Sequence, residues 1–337
     1  MKKISVIIPC YNAVKWLPKC FVSLAGQTMG MDNLELIFVN DASTDEGATW
    51  AMLSELEHAY PESIMIIDLP QNRRQGGARN EALKYASGEY VAFVDADDWI
   101  NDNMCEKAYA AAKQYDADMV QFNHLLYFEG KGTIENPLKM KDEVLTIHHA
   151  DERKRMLMAE KLTYGCWNKL YRRSMIEEAG VEFAEHCIYE EPLFVYPLLF
   201  YVNRAVIRSD YLYVYRQNHS GTMRNDMKDR QTLTQHANVQ LAVWDYMKMT
   251  PFMEEYGEEI KAYFLHTYLY EYLDFAKHRD MKINWDDYRK LAENALKEVQ
   301  PLKLNRYQDI FVKQSVLYEI IRDGMDTARL ERFYEDM

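Results

Sequence analysis

Residues Tyr90–Trp99 read Y-V-A-F-V-D-A-D-D-W. Tyr90 to Val94 is a short apolar run of aromatic and β-branched residues, which suits a buried strand. Asp95, Asp97 and Asp98 follow at once. A strand that ends in clustered acids brings hard oxygen donors to the rim of a sheet, and open α/β sheets bind ligands at that carboxyl edge. Acids so close repel one another unless a cation sits among them. A divalent ion carrying diphosphate oxygens is the natural occupant. An isolated D-x-D-D reads equally well as a solvated turn, so the residues upstream have to decide.

Upstream, strand and helix alternate. Ile4–Ile8 (I-S-V-I-I) is a nearly continuous apolar run, as expected of a parallel strand buried on both faces. Pro9 stops it, and Cys10-Tyr11-Asn12 turns into a helix beginning near Val14. Leu34–Val39 is a second strand, followed by N-D-A-S-T-D (Asn40–Asp45), whose side chains offer N-caps to a helix over about Glu46–His58. Ile64–Ile67 is a third strand, and the Arg- and Gly-rich stretch Gln71–Gly77 opens a helix over Ala78–Ala86. The alternation predicts a doubly wound α/β sheet, mostly parallel, with flanking helices. Tyr11, Asp41, Arg73, Arg74, Arg79, Asp95 and Asp97 all come after strands and would converge on one edge. Helix-start N–H groups and the arginines supply positive potential there for a diphosphate.

Downstream, a helix near Asn103–Tyr115 and a strand over Met119–Leu126 precede a loop or hairpin at Phe128–Pro137. Trp167–Arg173 leads into a short helix, and Glu190–Tyr201 reads as an apolar helix opened by two acids. Two short strands follow, Ala205–Arg208 and Leu212–Tyr215. From about Asp229 the pattern is helical. Tyr263, Phe264, Tyr268, Tyr272, Leu273 and Phe275 recur at near-helical spacing and are assigned to core packing. The expected organisation is a catalytic domain over 1–225, with a nucleotide-binding half (1–100) and an acceptor half (101–225), then a helical region over 226–337.

A net charge of −13 argues against a nucleic-acid partner. The five cysteines are scattered without a C-x-x-C pair, so reduced thiols are expected, with Cys10 and Cys166 packing rather than acting as nucleophiles. A strand begins within a few residues of the N-terminus with no signal-peptide pattern, and no run reaches the roughly 18 apolar residues of a membrane span. A cytoplasmic location is expected. Aromatics interleaved with Lys303, Arg306 and Lys313 read first as a solvated helix and are also compatible with peripheral contact at the inner membrane face. His148-His149 has no partner motif and reads as a surface pair.

Several blocks occur in a fixed order: V-I-I-P-C-Y-N (Val6–Asn12), V-N-D-A-S-T-D (Val39–Asp45), G-G-A-R-N (Gly76–Asn80) and V-D-A-D-D-W (Val94–Trp99). They are followed by C-W-N-K-L-Y (Cys166–Tyr171) with Y-E-E-P-L-F (Tyr189–Phe194), and by Y-R-Q-N-H-S-G-T (Tyr215–Thr222). Together they resemble the inverting family-2 glycosyltransferases of GT-A fold, of the bacterial surface-polysaccharide type, over roughly residues 1–225. The resemblance implies that Pro9, Tyr11 and Asn12 line a nucleotide pocket and that Asp41 accepts from a uracil imide. Arg73 and Arg79 would lie near the nucleotide and Asp95 on the ribose side. Asp97 would coordinate Mn²⁺ or Mg²⁺ across the phosphates, and Asp98, Trp167 and Lys169 would face sugar or acceptor. Arg216 and His219 would close over the diphosphate, His219 with a part in metal binding. The implied partners are a UDP-sugar donor and a saccharide or lipid-linked saccharide acceptor.

Displacing a nucleoside diphosphate leaves charge on phosphate oxygens, which a metal and arginines stabilise. A further acid must take the proton of the attacking hydroxyl. Glu190 and Glu191 are the candidates, with Glu191 standing where the family usually has Asp. A second departure is Arg74, which occupies a place where the family commonly has glycine. The rival readings are a sugar-phosphate nucleotidyltransferase, whose Gly-rich first loop is absent here, and a non-catalytic nucleotide- or saccharide-binding protein on the same scaffold. Neither G-x-G-x-x-G nor a P-loop is present.

Overall fold

The computed structural model describes residues 2–217, 230–299 and 312–337. They divide into two compact units, one of residues 2–152 and 162–217, the other of 153–161, 230–299 and 312–337.

The first unit is built on a ten-stranded sheet: β1 (Ile4–Cys10), β2 (Leu34–Asn40), β3 (Ile64–Asp68), β4 (Tyr90–Phe93), β5 (Trp99–Ile100), β6 (Met119–Phe128), β7 (Gly132–Glu135), β8 (Glu143–Thr146), β9 (Lys169–Arg172) and β10 (Arg204–Gln217). Its helices are α1 (Leu17–Ala25), α2 (Ala48–Ala59), α3 (Arg74–Leu83), α4 (Met104–Tyr115), α6 (Arg173–Ala179) and α7 (Glu191–Leu198), and α5 (Ala150–Met158) runs from this unit into the other. The strand order is β3-β2-β1-β4-β9-β6-β10-β5, with β7 on β6 and β8 on β10. β1 to β4 pair in parallel, as their continuous apolar runs predict. β9 then enters antiparallel between β4 and β6, so the second half of the sheet is mixed. β9 was not expected as a strand: K-L-Y-R is four residues long with a cation at each end. The two strands expected over 205–215 are one, β10, with register shifts between Arg208 and Tyr213 that look like a break in sequence.

Two helix starts differ from expectation. α2 is capped by the backbone of Gly47, in the left-handed region at φ 84, and Asp45 accepts from the N–H and hydroxyl of Thr49 one turn in. α3 begins at Arg74, ahead of the predicted Ala78, so Gly76 and Gly77 lie inside the helix. A Cβ on Gly76 would come within 2.0 Å of the Ala184 carbonyl oxygen. The glycines therefore mark close packing of α3 against the 184–190 segment and do not form a flexible loop.

The second unit is helical, with helices Arg230–Lys248, Phe252–Leu265, Glu271–Lys277, Trp285–Glu298, Val312–Arg322 and Thr327–Asp336. The aromatics assigned to packing are buried there: Phe264 stacks between Trp244 (4.8 Å) and Tyr268 (4.9 Å), and Leu273 is fully buried. A π-helical turn, His266–Tyr270, interrupts the second and third helices, and the buried Tyr288 hydroxyl donates to the Leu269 carbonyl within it. Of the basic tail residues, Lys303 and Arg306 lie outside the described residues. No described helix is long and apolar enough to cross a membrane.

Candidate active site

β1, β2, β3 and β4 run in one direction, so Tyr11, Asn12, Asp41, Asp95 and Asp97 emerge at a common edge. Pro9 lies at the end of β1, past Ile7, where pairing with β4 stops, so its missing N–H costs the sheet little. Asn12 takes the left-handed conformation (φ 50) and locks the first loop to the second: its amide donates to Thr44 Oγ1 (3.2 Å) and its Oδ1 accepts from Thr44 N–H (2.8 Å). Tyr11 stays exposed at 48%, its hydroxyl 3.4 Å from Thr44 Oγ1, leaving the ring open to a stacking partner. Asp41 is buried, with Oδ1 accepting from Arg73 N–H at 2.7 Å. Burial raises its carboxyl pKa against the pull of that bond.

The guanidinium groups of Arg73 and Arg79 are both held by acids of the protein itself. Arg73 is held by Glu185 and by Glu81 at 3.2 Å, and only its backbone N–H serves the edge. Arg79 is 1% exposed and bridges two acids, Asp95 at 2.6 Å and Glu190. Its role is to tie the end of β4 to the start of α7, because a buried guanidinium holds its place only when paired. Arg74 has φ 59. That backbone favours glycine, which accounts for the residue expected there: the chain keeps the glycine conformation and carries an arginine in it.

Tyr189, also left-handed at φ 66, turns the chain so that Glu190 meets Arg79 and Glu191 opens α7. This separates the two candidate bases. Glu190 is buried against Arg79. Glu191 is half-buried; its Oε1 accepts from Cys166 N–H at 2.7 Å, and Oε2 makes no hydrogen bond among the described residues. Burial, with Glu190 second, pushes the Glu191 carboxyl up to about 7, the range a general base needs near neutral pH. Cys10 and Cys166 are buried with raised thiol pKa values, in keeping with packing roles.

Two residues expected to face sugar or acceptor are turned inward. Asp98 is fully buried and accepts from Tyr213 Oη (2.6 Å) and Arg216 N–H (2.7 Å), fastening the acidic turn to β10. Lys169 is fully buried, its ammonium bound to Thr163 Oγ1 (2.9 Å), Gly165 O and Asn168 Oδ1 (2.9 Å), and burial lowers it to about 7. It shapes the 163–168 loop from beneath, because a buried amine must spend its donors on nearby carbonyl and hydroxyl oxygens. Trp167 is partly exposed, stacked on Tyr215 (5.4 Å) and edge-on to His124. Arg216 donates from Nε to the Asp97 carbonyl at 2.7 Å. His219 lies outside the described residues. Sequence reasoning missed Lys19 and Trp16, which stand beside Arg216.

Among the described residues no three His, Cys, Asp or Glu side chains gather as a preformed cation cage. Asp97 is partly exposed at the edge, with Asp95 and Asp98 near in sequence. A hard cation that arrives with phosphate oxygens needs only one or two carboxylates from the protein, so this donor set fits such an ion.

The model of glycosyl transferase family 2 matches residues 5–180, from β1 through the end of α6. The chain belongs to that family. Bacillus subtilis EpsH is 32% identical over 222 residues, 63% of this chain and 60% of its own length. Staphylococcus aureus TarS, a poly(ribitol-phosphate) β-N-acetylglucosaminyltransferase, is 28% identical over 66% of this chain and 36% of its own. The chain thus spans less than two thirds of either relative. The crystal structure of S. aureus TarS 1–349 in complex with UDP-GlcNAc superposes with a TM-score of 0.77 at 22% identity, over 99% of this chain and 90% of that one. A Pyrobaculum calidifontis mannosyltransferase with GDP-Man and Mn²⁺ gives 0.55 at 16% identity over 98% and 84%. At these identities the likeness is one of fold, the GT-A arrangement of this family 2 chain.

Proposed function

We propose that this protein transfers a sugar, with inversion, from a UDP-sugar to a hydroxyl of a saccharide or lipid-linked saccharide acceptor in polysaccharide biosynthesis. The observation that carries the reading is the division of labour between two adjacent acids. Arg79 neutralises Glu190 and anchors it to Asp95, while Glu191 keeps an oxygen without a hydrogen-bond partner at the site edge. A non-catalytic binding protein has no need of a carboxylate raised toward neutrality beside a nucleotide edge.

In this reading Tyr11 stacks on the base and Asp41 accepts from it, with Asn12 holding the two loops in register. Asp95 faces the ribose side from its Arg79 bridge. Asp97 holds the divalent ion, Mn²⁺ or Mg²⁺, which when bound neutralises the charge that develops on the leaving diphosphate. Arg216, fixed through Nε to the Asp97 carbonyl, adds positive charge on the same side. Glu191 removes the proton of the attacking hydroxyl as it displaces the diphosphate from the opposite face of the sugar carbon. Trp167 lines the acceptor side, and Lys169 and Asp98 set the loops beneath. The UDP-GlcNAc complex of TarS and the Mn²⁺ complex of the mannosyltransferase support the choice of donor class and metal. We assign the work to residues 1–225, at the cytoplasmic side.

The test is turnover of a UDP-sugar panel with Mn²⁺ or Mg²⁺, with and without oligosaccharide acceptors, alongside calorimetric UDP binding. Turnover abolished in Glu191→Gln with UDP binding kept supports the reading. UDP binding without turnover of any donor, hydrolysis included, overturns it in favour of a binding protein.

A further inference from the structure

Lys19, on the exposed face of α1, places its ammonium 3.2 Å from the Trp99 ring centroid and 4.9 Å from that of Tyr127. Arg216 reaches the same two rings at 4.9 Å and 5.1 Å, and Trp16 at 4.6 Å. Trp99 and Tyr127 are themselves braced edge to face at 4.9 Å. Two cations therefore share one aromatic platform, and among the described residues neither forms an ion pair with a carboxylate. Both lie within 4.9 Å of one ring centroid, so they are at most about 8 Å apart. At an effective dielectric of about 20 their repulsion is at least about 2 kcal/mol. Lys19 makes two cation–π contacts and Arg216 three, each worth about 0.5–1 kcal/mol when exposed, so the platform offsets a repulsion of similar size. Burial and Arg216 accordingly lower the Lys19 pKa. The rings hold both cations in place without neutralising either, and an anion between the two removes their repulsion. The rings are partly exposed, and Arg216 adjoins Asp97 through its main chain, so the platform opens beside the metal acid.

We propose that Lys19 and Arg216, seated on Trp16, Trp99 and Tyr127, form a phosphate-binding subsite next to the sugar-transfer centre. The inference rests on the function proposed above. The phosphate comes either from the donor diphosphate or from a phosphate-bearing acceptor.

The experiment uses the full chain, as wild type, Lys19→Gln and Lys19→Arg, titrated with inorganic phosphate and pyrophosphate while tryptophan fluorescence is read, and with UDP and Mn²⁺ in a calorimeter. Wild type is expected to bind pyrophosphate with a fluorescence change, Lys19→Gln about tenfold more weakly, and Lys19→Arg within about twofold of wild type. Pyrophosphate that still binds under saturating UDP places the phosphate on the acceptor; displacement by UDP places it on the donor. Equal affinities in wild type and Lys19→Gln, or no wild-type phosphate or pyrophosphate binding at millimolar concentration, overturn the subsite. UDP binding by wild type reports separately on the proposed function, so the two readings fail independently.

Discussion

Glu191 and Arg79 show how much one side chain decides. With its carboxyl raised to about 7, Glu191 is protonated below neutrality and cannot act as a base. kcat/KM is therefore expected to rise about tenfold per pH unit up to about 7 and then level off, and Glu191→Gln should lower turnover about 10²–10⁴-fold. A flat profile between pH 5 and 8 contradicts the assignment. The same shift has the opposite sign for stability. The folded state binds this proton more tightly than the unfolded chain, so the group's contribution is largest at low pH and is lost as pH rises from the ordinary glutamate range through 7. Asp97→Ala should weaken Mn²⁺-dependent UDP binding far more than Glu191→Gln does, and equal losses in calorimetry would undo both roles. Arg79→Met leaves Asp95 and Glu190 without their shared counter-charge and should cost about 3–5 kcal/mol in urea denaturation. A loss under 1 kcal/mol would mean that the bridge is dispensable. None of this pairing is legible in sequence, where Arg79 and Glu190 stand 111 positions apart.

At the level of elements, the legible strands are those whose burial is written in their residues. Ile4–Cys10 and Leu34–Asn40 sit between neighbours and are apolar almost throughout. β9 is buried just as centrally, yet its Lys169 is satisfied by side-chain and carbonyl oxygens that no local pattern announces. α3 hides its first turn for a related reason, because Gly-Gly reads as a breaker but serves as a contact surface. Alanine in a helix is favoured over glycine by about 1 kcal/mol. At Gly76 that gain is outweighed, since the added methyl meets backbone at 2.0 Å and overpacking costs about 1–3 kcal/mol or more. Gly76→Ala is expected to lower Tm and to displace the 184–190 segment that carries Glu190. An unchanged or raised Tm would show that the segment yields freely.

For the whole molecule, the helical unit is not a simple tail. It includes residues 153–161, inserted between two stretches of the sheet unit. Met156, Leu157 and Met158 are buried. A chain ended after residue 217 loses the unit to which these residues belong, so it should bind a hydrophobic dye and unfold at lower denaturant than the intact protein. A dye-silent, fully cooperative truncated chain would refute that dependence. The organisation expected from sequence, one boundary near residue 225, has no way to express this insertion, because α5 carries an ordinary helical pattern.

The placement of β9 also bears on how the chain is made. β4 finds its outer neighbour only when Lys169–Arg172 has been synthesised, about 75 residues after Phe93. At about 5–20 residues per second, that interval is about 4–15 s. During it the strand Y-V-A-F presents an apolar, unpaired edge to the ribosome's surroundings, the kind of edge that recruits foreign strands. Nascent chains stalled before residue 169 should therefore depend on chaperone cover that chains stalled after residue 200 no longer require.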